Sequence, residues 1–90
     1  MNSSSLTLEE IKKMAPEEAL KSLNSWIEKH PDNDEALVIR GQKLWNLNRR
    51  GEAISDYLQA LRINPQSKAG ILLDYAYSIL DYYNKDLLNP

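Results

Sequence analysis

The sequence predicts an all-α protein, a stack of antiparallel helix hairpins with about five helices, the last serving as a cap. Three observations carry this. Pro31 and Pro65 lie 34 residues apart, and the residues before them repeat at the same offset. Glu18-Ala19-Leu20 returns as Glu52-Ala53-Ile54, Leu23 as Tyr57, Ile27 as Leu61, and His30-Pro31 as Asn64-Pro65. A period of this length suits one supersecondary unit that buries its apolar face only against a neighbour. Finally, the apolar residues between the breaks fall at helical rather than alternating spacing.

Each element has its own warrant. Residues 1–5 read as a flexible tail. Leu6-Thr7-Leu8-Glu9-Glu10-Ile11 is a helix start, with Thr7 and Glu10 as a capping box and Leu6 and Ile11 as a hydrophobic staple. Ala15-Pro16 cuts that helix short. Pro16 suits the first turn of a second helix, and Glu17 and Glu18 favour the same end through the helix dipole. That helix is predicted over Pro16–Lys29, with Ala19, Leu20, Leu23, Trp26 and Ile27 as its apolar face. His30-Pro31-Asp32-Asn33 breaks the chain, and Asp32 with Glu35 forms a second box-like start. The third helix runs to about Leu47 through Ala36, Leu37, Gly41, Leu44 and Trp45, and Asn48 supplies a left-handed stop. The fourth spans about Gly51 to Ile63, carrying Ala53, Ile54, Tyr57, Leu58, Ala60 and Leu61. Asn64-Pro65 ends it and Ser67 caps the fifth. In the fifth, Ala69, Leu72, Leu73, Ala76, Ile79, Leu80, Tyr83 and Leu87 share one sector. That is the pattern of a helix closing the end of a stack.

Residues 34–67 resemble one full tetratricopeptide repeat. Leu37 stands at the family's Trp place, Gly41 at its Gly, Leu44 at its Tyr, Ala53 and Tyr57 fill A-x₃-F, Ala60 is the second small residue and Pro65 closes the unit. Residues 6–33 look like an abbreviated first repeat, residues 68–84 like a capping helix and residues 85–90 like a tail. The whole is similar to a short stand-alone bacterial repeat protein, down to the ending Asn84-Lys85-Asp86-Leu87-Leu88-Asn89-Pro90. The resemblance implies a right-handed superhelix and a single domain that binds other polypeptides. Three places depart from the pattern. Arg40 sits where leucine is usual, which requires an acid on a neighbouring helix or an aromatic such as Trp26. Trp26 occupies the place Ala60 holds in the second unit. Tyr75 falls where Gly41 would repeat, as expected of a cap.

The resemblance also implies a concave groove lined by the first helix of each unit. Carried onto the third helix, its places are Glu35, Val38, Gln42, Trp45 and Asn46. Gln42 and Asn46 donate and accept, which suits a peptide backbone. Trp45 has the make-up of an interface anchor, or else packs inside the protein. The family's clamp for a chain-terminal carboxylate is absent, since Val38, Ile39 and Gln42 hold the equivalent places. Ile71, Tyr75 and Tyr82 form a flank of the fifth helix outside its main apolar sector, a second contact patch or one covered by Leu87-Leu88.

Composition bounds the alternatives. Ninety residues, 42% apolar and 27% charged, make one domain of modest stability. The absence of cysteine removes disulfides and thiolate chemistry and fits a cytoplasmic protein. The start reads as no secretory signal, and no run approaches the ~18 apolar residues of a membrane span. Charge is uneven: residues 1–35 carry eight acids and four bases, residues 40–68 six bases and two acids. No phosphate loop or metal-ligand cluster stands out, and the single His30 precedes a proline at a turn, so neither enzyme activity nor cofactor is expected. The function predicted is a non-catalytic scaffold that takes a peptide or helix of a partner protein. A self-associating module, such as a homodimer, is the structural alternative. A helix-turn-helix nucleic-acid binder is another, opposed by a pI near 5.3 and by Arg49-Arg50 being the only basic pair in this region.

Overall fold

The computed structural model describes residues 6–88, with side chains through Asp81. Within them the chain is all-helical: α1 (Leu8–Lys12), α2 (Pro16–Lys29), α3 (Asp34–Asn46), α4 (Arg50–Ile63) and α5 (Ala69–Leu88). No strand occurs among the described residues. Each helix packs on the next in order, and α3 against α4 is the most extensive pairing. Connections this short join neighbouring helices.

Local chemistry sets the helix ends. At α1 the Glu10 amide donates to Thr7 Oγ1 at 3.2 Å, and the Thr7 amide donates back to Glu10 Oε1 at 2.9 Å. Pro16 occupies the first turn of α2. At α3 the cap is Asn33 rather than Asp32. Asn33 is the last extended residue, and its Oδ1 accepts the Ala36 amide at 2.9 Å. The end of α3 is a Schellman turn. Asn48 takes φ 66°, the Arg49 amide donates to Leu44 O at 2.9 Å and the Asn48 amide to Trp45 O at 3.0 Å. Ser67 Oγ accepts the Ala69 amide at 3.1 Å and so opens α5. This last helix continues through residue 88, so the tail expected from residue 85 is helical up to that point. Nothing between Asn84 and Leu88 is a helix breaker. The expected tails at residues 1–5 and 89–90 lie outside the described residues.

Two apolar clusters form the core. The larger joins Leu37, Val38, Leu44, Ala53, Tyr57, Ala60, Ala69 and Leu73 across α3, α4 and α5. The smaller joins Ile11, Ala19, Leu23 and Ile39 across α1, α2 and α3. Gly41 is what lets α3 meet α4. A Cβ built there would lie 2.5 Å from Tyr57 Cε1 and 2.8 Å from Cδ1. The buried Tyr57 ring therefore fills the space that any other residue at 41 would need. The small residue at 41 makes room for the Tyr57 ring.

Arg40 finds its acid on α4. Its Nε and Nη2 donate to the two carboxylate oxygens of Asp56, both at 2.8 Å, and Nη1 donates to Asn24 Oδ1 on α2 at 3.0 Å. One guanidinium thus ties three helices together. The Asp56 bond raises the Arg40 pKa further, against the opposing pull of burial. Trp26 is not its partner. The indole Nε1 donates to Leu6 O at 3.3 Å, and the ring stacks on His30 at 4.1 Å between centroids. Leu58, expected on the apolar face of α4, is 37% exposed.

Candidate interaction groove

The exposed face of α3 and the first half of α5 border a groove of about 430 Å³. Gln42, Trp45 and Asn46 line it from α3, Leu72, Tyr75 and Ala76 from α5, and Tyr57 also reaches it from α4. Lys12 of α1 stands at its edge. A second hollow of about 610 Å³ shares Lys12, Ile39 and Gln42 with the first and extends it past Glu35 and Val38 towards Asn64 and Lys68. The two together make one trough along α3, so Glu35, Val38, Gln42, Trp45 and Asn46 all border it.

These residues are not equivalent. Gln42, Asn46 and Glu35 are exposed. Val38, expected to present itself to a partner, is buried and belongs to the larger core cluster. It sits one residue from Leu37 and shares that cluster with Ala69 and Leu73 of α5, so its side chain packs the core. Trp45 is half-buried. It packs against the core cluster, borders the groove, and has the Arg50 guanidinium carbon 4.8 Å from the ring centroid.

Of the second patch, Tyr75 is 62% exposed and lines the groove opposite Trp45, while Ile71, one turn earlier on α5, is 76% exposed beside it. Tyr75 therefore belongs with the α3 residues. The side chain of Tyr82 lies outside the described residues.

Several groove residues escape a reading of α3 alone. Lys12 comes from α1, where its Nζ lies 3.1 Å from Glu9 and 4.0 Å from Glu35. Lys43 Nζ donates to the carbonyls of Lys12 at 2.6 Å and Met14 at 2.9 Å. It closes the free carbonyl end of α1 and holds that short helix over the groove. Leu72 enters only because α5 packs on α4 at this height. The one signal available in sequence was the (i, i+3) spacing of Leu72 and Tyr75.

Burial, and then the nearby Asp56 charge, push the Tyr57 hydroxyl up from the usual tyrosine range. Among the described residues no three His, Cys, Asp or Glu side chains gather as a metal site would require, and no helix is long and apolar enough to cross a membrane. His30 is exposed on the turn after α2. No protein-family profile, curated protein or solved structure matches the chain.

Proposed function

We propose that this chain is a non-catalytic, cytoplasmic interaction module of tetratricopeptide type. It docks a peptide or helix of another protein along the groove between α3 and α5. The supporting observation is that Gln42, Trp45, Asn46 and Tyr75 border one groove. Two amides able to pair with a backbone flank two large aromatic surfaces there, the composition of an interface with apolar anchors. The nucleic-acid reading draws little support, because Arg49 is held by Glu52 at 2.7 Å and Arg50 lies against Trp45.

Photo-crosslinking from single positions tests the groove. A benzophenone side chain at Gln42 or Asn46 is expected to capture a partner polypeptide. The same group at Ser55, in the polar cleft between α2 and α4, is expected to capture none. Trp45→Ala should abolish capture while leaving the domain folded, at a cost on the order of 1–2 kcal/mol for a half-buried aromatic. Capture from Ser55 and not from the groove contradicts the reading. A captured species of twice the chain mass favours self-association instead, the reading that the exposed Ile71 and Tyr75 invite.

A further inference from the structure

On the groove reading above, we infer that the segment taken is acidic: an apolar side chain seated between Trp45 and Tyr75, with carboxylates beside it. The chain as a whole is net negative, at −2. The smaller half of the groove has the opposite sign: its only charged lining residues are Lys12 and Lys43, although Lys12 also meets Glu9 at 3.1 Å and Glu35 at 4.0 Å, and Asp34 and Glu35 line the other half. Lys43 has three donors and gives two to carbonyls of α1, so its charge is held in place but not neutralised by an acid.

Arg50 supplies an independent observation. Its guanidinium lies against Trp45, and among the described residues no carboxylate comes within ion-pair distance of it. Among those residues its Nε is also the one buried side-chain polar atom without a hydrogen-bond partner. The Arg50 charge thus stands against the Trp45 face with no acid beside it among the described residues, and a carboxylate near that face answers it. Two lysines thus line a groove whose aromatic pair offers apolar area, and Arg50 lies against one member of that pair. A volume of about 430 Å³ falls within the range of roughly 300–1,000 Å³ typical of ligand clefts. A basic partner would meet unfavourable charge at the same place.

The test is a titration of the full ¹⁵N-labelled chain with three end-blocked peptides, followed by NMR. Each carries Phe-Leu at its centre, flanked by glutamates, glutamines or lysines. The glutamate peptide is expected to shift the Trp45 indole N–H and the Gln42 and Asn46 side-chain amides. It should bind at least tenfold tighter than the glutamine peptide, and weaken as salt rises from low to high ionic strength. The lysine peptide should leave these signals unmoved. Arg50→Gln and, separately, Lys12→Gln should each reduce the advantage of glutamate over glutamine by threefold or more. Lys12 is exposed enough that its variant stays folded should Arg50→Gln not. Equal binding of the glutamate and glutamine peptides, or a preference for lysine, overturns the acidic inference and leaves the groove standing. Failure of all three peptides to move any groove signal overturns both.

Discussion

The two helix junctions that the 34-residue period relates are built differently. At the α3–α4 junction, Ala53 and Ala60 are fully buried and the Tyr57 ring lies on Gly41. Backbone and aromatic ring meet with no side chain between them. In the earlier half, Leu23 takes the place of Tyr57 and packs among Ile11, Ala19 and Ile39. Trp26 takes the place of Ala60 and is too large to go inside. It is displaced to the edge, bonded to Leu6 O and stacked on His30. The same periodic positions therefore make a ring-on-backbone seat in one half and a contact filled by aliphatic side chains in the other. Repetition in sequence sets which residues face each other, while residue size sets how near the helices come. The groove lies over the tighter half.

The largest expected effect attacks the seat. Gly41→Ala drives a methyl group against the edge of the Tyr57 ring and should cost on the order of 1–3 kcal/mol in urea unfolding, even though alanine is the better helix former by about 1 kcal/mol. Gly41→Leu should prevent folding. Tyr57→Leu combined with Gly41→Ala should recover part of the loss, and strict additivity would break the contrast between the junctions. Next is the tie between them. Arg40→Met leaves the buried Asp56 without its partner and is expected to cost about 2–3 kcal/mol, less than a fully buried pair because Arg40 is a quarter exposed. Replacing both Arg40 and Asp56 by apolar residues should cost less than Arg40→Met alone.

Smaller changes sharpen the picture. Asn48→Ala places a less tolerant residue at φ 66° and should cost about 1 kcal/mol, whereas Asn48→Gly should be close to neutral. The pH dependence is subtler. Burial raises the folded-state pKa of Tyr57, so its contribution is complete below the unfolded tyrosine value of about 10. It is lost as pH rises through the higher folded value. Denaturation midpoints measured across the alkaline range should therefore fall more steeply for the native chain than for Tyr57→Phe.

Much of this fold is written locally. The Thr7–Glu10 box, the prolines that bound α2, α3 and α5, and the left-handed Asn48 each act within a few residues, so sequence spacing suffices to place them. Arg40 in an apolar row demanded an acid nearby, and Asp56 supplies it. What sequence could not settle depends on how faces meet in space. Val38 and Gln42 lie about one turn apart on α3, yet the first is buried in the cluster that reaches α5 and the second is exposed. Tyr75 belongs to α5 by sequence and to the groove by packing. Arg50 reads as half of a basic pair until the turn at Asn48 brings it onto Trp45. Such outcomes follow from helix placement, which no periodicity encodes.

Native-state hydrogen exchange tests most directly whether the α3–α4 seat is the stable platform beneath the groove. Amides of Gly41, Leu44, Tyr57 and Ala60 should be the slowest in the molecule and exchange only through global unfolding, while those of Leu23 and Ile11 open at lower free energy. Leu23 exchanging as slowly as Tyr57, or more slowly, would contradict it.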